Sequence, residues 1–306
     1  MSRVVGAAPL AGGRAQGFYW AINPYSGCEF ACTYCHARGQ APFADADFKV
    51  FERDILVRVN TRELVAKLLA DRAHLNVPLV LGTSTDPWQP AEKKVLATRA
   101  VLQELAQHDG VDLRAQTRSS IAARDADLLG QIGRRGKVAV SFSIGTLDRR
   151  LARLLEPLAP SPDLRFIAME ALARAGVKVG LVASPILPGL NDTLSALRDL
   201  ARRARDAGAS FVSAAPLVMA PQARARVVQH VSKFDPELAT RYDRLLARTA
   251  EYEQGFPRKL QQRFAEACEQ VGLPVFREEP EAQPETAAAE PPKRRMTPPP
   301  VQLELW

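Results

Sequence analysis

Short apolar runs alternate with longer amphipathic stretches along this chain, and the strand-then-helix unit repeats six times between residues 15 and 275. Apolar runs bounded by turn residues read as buried strands, and stretches with apolar residues three and four apart read as helices. A helix between two strands carries the chain back across the sheet, so the strands run parallel. Parallel strands covered by helices either close as a barrel or spread as a doubly wound sheet. The reading places strands at Tyr19–Asn23, Pro78–Thr83, Asp112–Thr117, Lys137–Ile144, Val177–Ile186 and Ser210–Val218. Helices are expected over Thr61–Arg72 with Asn60 as N-cap, Pro90–His108, Asp125–Arg134, Asp148–Glu156 and Ser161–Ala175. Others follow at Asp192–Ala207, Pro236–Arg248 and Pro257–Val271; Gly176 and Gly208 close two of the helices. Phe48–Asn60 reads as extended. The fold class is therefore α/β, with residues 15–275 forming one domain.

From Glu278 the composition changes. Proline, glutamate and alanine dominate residues 278–306, a stretch with too little apolar surface to order itself. This tail holds six acidic and three basic residues; the chain as a whole carries a formal +7 with a pI near 9.4, so the body carries about +10. A basic body suits a polyanion, nucleic acid first, although arginine-rich helices also occur in proteins that bind none. No apolar run reaches the ~18 residues needed to span a membrane. With no apolar signal segment at the start and only four cysteines, the expected compartment is the reducing cytoplasm.

Three of those cysteines, Cys28, Cys32 and Cys35, fall within eight residues as C-x₃-C-x₂-C. Three thiolates on one loop can hold three irons of a 4Fe–4S cluster and leave the fourth open. Clusters that only carry electrons usually have every iron capped by cysteine, whereas an open metal position is where a substrate binds. The competing assignment is a structural Cys₃His zinc site completed by His36. Zinc usually draws its cysteines as separated pairs, and adjacent Cys35 and His36 would strain the backbone to reach one tetrahedral ion.

The spacing, with Tyr34 before the last cysteine, resembles the signature of the radical S-adenosylmethionine (SAM) enzymes. The ordered elements N-P-Y-x-G-C-x₃-C-x₂-C, L-G-T-S-T-D-P-W-Q-P-A-E (81–92), T-R-S (117–119), V-S-F-S (140–143) and S-P-I-L-P-G-L-N-D (184–192) are similar to the spore photoproduct lyase-like branch, often labelled DNA repair photolyase. The likeness spans residues 18–220. It implies a partial (β/α)6 TIM-like barrel with chemistry at the C-terminal strand ends, a 4Fe–4S cluster, SAM, and a one-electron donor such as flavodoxin or ferredoxin. It also implies reductive cleavage of SAM to a 5′-deoxyadenosyl radical.

Within that likeness, Arg118 stands where relatives carry a lysine, and a guanidinium there can pair bidentately with the SAM carboxylate. Ser141 and Ser143, two apart on a strand, point to one side, where they reach ribose or carboxylate oxygens or simply fill a barrel layer. Asp86 accepts from the SAM ammonium or starts a turn before Pro87. Tyr34, Ser184 and Asn191 complete the expected cofactor surroundings. One departure stands out: spore photoproduct lyases carry a hydrogen-donating cysteine just after the second strand, where this chain reads Gly82-Thr83-Ser84-Thr85. Cys268 reads as a small buried filler. The implied substrate is nucleic acid, with a protein or small molecule as the alternative within radical chemistry. A zinc-stabilised, non-enzymatic DNA-associated protein is the alternative outside it. The tail's Gln302-Leu303-Glu304-Leu305-Trp306 resembles the peptide by which repair proteins dock on the sliding clamp, two leucines and an aromatic on a tether.

Overall fold

The computed structural model describes residues 2–8, 15–40, 42–43, 49–72, 77–219, 223–247 and 249–275. The strands are β1 (Ser2–Ala8), β2 (Ala15–Ile22), β3 (Tyr25–Ser26), β4 (Leu56–Val57), β5 (Leu79–Leu81), β6 (Asp112–Thr117), β7 (Lys137–Ser143), β8 (Lys178–Ile186) and β9 (Phe211–Pro216). The helices are α1 (Val50–Arg53), α2 (Thr61–Ala70), α3 (Glu92–Val95), α4 (Ala97–Leu105), α5 (Ala126–Arg135) and α6 (Arg149–Leu155). They continue with α7 (Pro162–Arg174), α8 (Leu194–Asp206), α9 (Arg224–Phe234), α10 (Pro236–Ala247) and α11 (Thr249–Glu269). Seven strands form one sheet in the order β1-β2-β5-β6-β7-β8-β9. The six from β2 onward are parallel, β1 adds antiparallel at the edge, and β3 and β4 pair separately. This is the partial (β/α)6 TIM-like barrel expected of the sequence.

Strand alternation divides the sheet into two faces. Leu113 and Ala115, Val138, Val140 and Phe142, Val179, Leu181 and Ala183, and Val212 and Ala214 pack with helical residues such as Leu102, Ile132, Met169, Leu200 and Phe264. Each fully buried leucine or isoleucine there contributes roughly 1.5–3 kcal/mol. The intervening residues, Gln116, Arg118, Ser141, Ser143, Gly180, Val182, Ser184, Phe211 and Ser213, therefore point inward. Gln116, Ser141, Gly180 and Phe211 lie at one level by register. A Cβ on Gly180 would meet the Phe211 ring at 2.2 Å, so glycine is what lets that ring lie across β8.

Several elements differ from expectation. Pro90–His108 is two helices broken at Leu96, which is left-handed (φ 59°). The Glu92 carboxylate reaches over the break and accepts from the backbone of Thr98 (2.9 Å) and Arg99 (3.0 Å), supplying α4 with the cap that its own first residue lacks. Phe48–Asn60 is largely not extended: within its described part, α1 and the two-residue β4 are the regular elements. Asn60 makes no side-chain cap bond to α2. Helix α9 was not anticipated, because Val227 and Val231 are its only buried anchors. Helix α11 begins at Thr249 and runs through Pro257, where the expected helix starts. Gly176 and Gly208 do adopt the left-handed conformation (φ 78° and 83°) that ends a helix. Residues 278–306, including the suggested clamp-binding peptide, lie outside the described residues.

Candidate cofactor site at the strand ends

The cysteine loop leaves the C-terminal end of β2 and is fastened to the loop after β5. Asn23 donates to Thr83 Oγ1 (2.8 Å) and accepts from Ser84 N (3.1 Å), and Thr85 Oγ1 donates to Gly27 O (2.6 Å). Gln89, fully buried, donates to Gly27 O (3.2 Å) and accepts from Glu29 N (2.9 Å). The Tyr25 hydroxyl donates to Glu92, which is itself paired with Arg124 (2.9 Å). Gly27 is left-handed (φ 87°), and a Cβ there would lie 2.8 Å from Phe51 O. Thus most of the T-S-T-D-P-W-Q-P-A-E stretch secures the backbone that carries the thiols.

Cys28 and Cys32 are buried, Cys35 is half-buried, and none is in a disulfide. Burial pushes the Cys28 and Cys32 thiols well up from their ordinary value, Asp86 adding to the first and Arg118 opposing the second. Coordination to iron would deprotonate such thiols, so metal loading at this loop would be coupled to proton release. Phe30, Phe43, Phe51, Leu151, Leu155, Val227 and Val231 pack around the loop. That apolar shell limits solvent access and lowers the local dielectric, which tunes a cluster's potential. Among the described residues no group of three or more His, Cys, Asp or Glu side chains converges to hold a single metal ion. Three unbridged thiols on one loop match the three-thiolate donor set of a cluster with an open iron, whereas a closed structural zinc site needs a fourth ligand. His36 is exposed, and its ring pairs with the Thr83 backbone.

Beside the thiols lies a charged group that sequence reasoning named only in part. Arg118 donates through Nε to Glu156 Oε1 (2.8 Å) and through Nη2 to the Tyr34 hydroxyl (3.1 Å), with its guanidinium carbon 5.8 Å from the Tyr34 ring centre. The Tyr34 hydroxyl donates to Glu156, and Arg165 pairs with the other carboxylate oxygen (2.5 Å). Burial alone would raise the Glu156 carboxyl; Arg165 and Arg118 outweigh it and hold it below the usual carboxylate range. The Arg118 side chain keeps 21% exposure, whereas Arg165 is 1% exposed. Glu156 and Arg165 were missed. A signal existed: Arg165 lies four residues before Met169 and seven before Leu172, on the buried stripe of α7, where an unpaired charge is not tolerated.

The remaining expected contacts divide into spent and unspent groups. Asp86 is buried, and its oxygens accept from Trp88 N (2.9 Å), Arg118 N (2.7 Å) and Thr117 Oγ1 (2.8 and 3.0 Å). It starts the turn before Pro87 and ties that turn to the end of β6. Asn191 accepts from Leu187 N (2.7 Å) and donates to Gly145 O (2.7 Å) and Pro185 O (2.9 Å), joining the loops after β7 and β8. Ser143 is fully buried and donates to Ser184 O (3.1 Å). Ser141 is 1% exposed, and its hydroxyl has no hydrogen-bond partner. Ser184 keeps a half-buried side chain at the end of β8. Cys268 is fully buried on α11, where burial pushes its thiol up to about 12, consistent with a packing role.

A family model described as the radical SAM superfamily matches residues 22–204. An uncharacterized protein of Mycobacterium tuberculosis is 28% identical over 249 residues, covering 81% of this chain and 73% of the relative. Among solved structures, a cysteine-to-serine variant of spore photoproduct lyase superposes with a TM-score of 0.56 at 20% identity, over 75% of this chain and 63% of that one. A further variant, with bound AdoMet and dinucleoside spore photoproduct, gives 0.54 at 21% identity over 69% and 60%. The chain thus spans less than two thirds of the length of these solved relatives, and at such identity the likeness is one of fold.

Proposed function

Because this chain belongs to the radical SAM superfamily, we propose that it is an enzyme that holds a 4Fe–4S cluster through Cys28, Cys32 and Cys35, cleaves SAM reductively and acts on nucleic acid. When bound, cluster and SAM supply a one-electron reduction and, through it, the power to abstract hydrogen from an unreactive C–H bond. The chain's own part is positional. The brace from Asn23, Thr85, Gln89 and Glu92 fixes the thiols, and the apolar shell around them excludes water. Arg118 is the proposed partner of the SAM carboxylate, with Ser184 and the uncommitted Ser141 hydroxyl as hydrogen-bonding contacts and the Tyr34 ring beneath the guanidinium. Asp86 and Ser143 serve this site by holding its scaffold.

The observation that carries this reading is a triplet of unbridged, largely buried thiols on a loop pinned at both sides, next to an arginine whose side chain is partly exposed. The deciding experiment is anaerobic purification followed by reduction with dithionite in the presence of SAM. The expected results are iron and sulfide near four per chain, formation of 5′-deoxyadenosine, and loss of both in Cys32→Ala. Stoichiometric zinc in place of iron sinks the proposal.

Two observations favour nucleic acid as substrate. Spore photoproduct lyase, whose fold this chain shares, binds a dinucleoside lesion. Helices α6 and α9, which pack beside the cysteine loop, carry Arg149, Arg150, Arg153, Arg224, Arg226 and Lys233 and no acid. Binding to undamaged and ultraviolet-damaged DNA should weaken steeply with salt, and affinity without salt dependence would point to a protein or small-molecule substrate instead. The lyase's lesion reaction is not carried over in the same form, since residues 82–85 hold no thiol. The proposed clamp contact through Gln302, Leu303, Leu305 and Trp306 predicts that deleting residues 301–306 abolishes clamp co-purification and leaves SAM cleavage intact. No described helix is long and apolar enough to cross a membrane. The proposal also takes the enzyme to be cytoplasmic and reduced by flavodoxin or ferredoxin.

A further inference from the structure

We infer that Arg165, too buried to touch a ligand, is the residue that leaves Arg118 with positive charge to offer a carboxylate; this rests on the proposal that the site binds SAM. Glu156 sits between two guanidinium groups, with Arg118 Nε 2.8 Å from one oxygen and Arg165 Nη2 2.5 Å from the other. If Glu156 faced Arg118 alone, the two would form a neutral pair. An incoming carboxylate would then be repelled by Glu156 nearly as strongly as Arg118 attracts it, in surroundings where the charges are weakly screened. Within this trio, with Arg165 included, one negative and two positive charges leave a net +1, and Arg118 is the member with exposed surface; the Asp86 carboxylate, which accepts from Arg118 N, is common to every variant compared below.

Arg165 is held for this task. Its Nε donates to Pro160 O (2.9 Å) and its Nη1 to Ser143 O (2.8 Å), so each of its three guanidinium nitrogens has a partner. The Tyr34 hydroxyl, bonded to the same Glu156 oxygen as Arg118, further commits that carboxylate. Arg165 is thus a positioning residue, acting through Glu156 on the group that meets the ligand.

A purely structural role, clamping the end of β7 to the α6–α7 connection, predicts the opposite sign for one variant, and that variant is the test. SAM dissociation constants are measured by equilibrium dialysis on the anaerobically reconstituted full chain, with melting of the cluster-free protein as the fold control. Arg165→Met should weaken SAM binding about tenfold or more, the size of one lost charge-assisted contact. Arg165→Lys keeps the charge and should retain most of the affinity. In the double variant Glu156→Gln/Arg165→Met the charge on Arg118 is no longer opposed by Glu156, so affinity should recover toward wild type. A double variant that binds no more tightly than Arg165→Met overturns the inference, as does an Arg165→Met that binds like wild type. Should Arg165→Met fail to fold, Glu156→Gln alone decides: it raises the site charge and should bind SAM at least as tightly as wild type, and weaker binding overturns the inference. A wild-type chain that does not bind SAM at all refutes the proposed function itself.

Discussion

The loop after β5 and the ends of β6 to β8 lie at the same end of the sheet, yet the second, although Ser143 and Asn191 are matched there, leaves some polar capacity uncommitted. In the first, Thr83, Thr85, Asp86, Gln89 and Glu92 have donors or acceptors matched within the protein. In the second, the Arg118 side chain is partly exposed and the Ser141 hydroxyl has no partner. Both regions match the same family pattern, so a motif match alone does not separate residues that build a site from residues that serve it. Unspent hydrogen-bonding capacity does, because a buried polar group left without a partner costs free energy that a ligand can restore.

The largest expected effect tests the spent side. Glu92→Ala removes the acceptor for Tyr25, Arg124 and the start of α4, and should cost about 3 kcal/mol of stability by chemical denaturation. If stability is unchanged while SAM binding collapses, Glu92 belongs with the ligand contacts and the division fails. Next comes Arg118→Gln, expected to raise the KM for SAM by tenfold or more, roughly 1.5–3 kcal/mol, with little change in melting, since Glu156 keeps Arg165. The two serines of β7 sharpen the contrast further. Ser143→Ala loses its bond to Ser184 O and should cost about 1 kcal/mol, whereas Ser141→Ala loses none and should melt at or slightly above the wild-type temperature.

The smallest effect lies at the rim. Burial is the largest single influence on the Asp127 carboxyl and raises it, but the hydrogen bond (3.1 Å) and charge of Arg99, together with backbone N–H donors, outweigh it and the pKa is lowered. A lowered carboxyl stabilises the fold above its unfolded pKa and loses that contribution as pH falls through the folded value. With its side chain 60% exposed, Asp127→Asn should cost under about 1 kcal/mol near neutral pH. Melts of the two proteins should converge as the pH is taken from about 5 toward 2.

Much of the fold was legible because the apolar period is carried by strongly buried runs such as Val138–Phe142 and Val179–Ala183, and because Gly176 and Gly208 mark helix ends. The break at Leu96 was not, since its cause is the Glu92 side chain reaching across it, and no local propensity announces that. Helix α9 escaped because a strand-then-helix count leaves no place for a helix that packs on the cysteine loop. The cysteines were visible from spacing alone. Glu156 and Arg165 were not, because their meaning lies in a pairing between the end of α6 and the buried face of α7. The double duty of the 83–92 stretch was also invisible: its partners Asn23, Tyr25, Gly27 and Glu29 lie about sixty residues away.

The ring of Phe211 lying over Gly180 makes two positions on neighbouring strands a single unit of inheritance. Any side chain at 180 has nowhere to go while the ring stays, and shrinking residue 211 alone leaves a hole in the barrel floor. Drift at either site is therefore trapped until the other changes, and lineages that cross that barrier should carry both substitutions together.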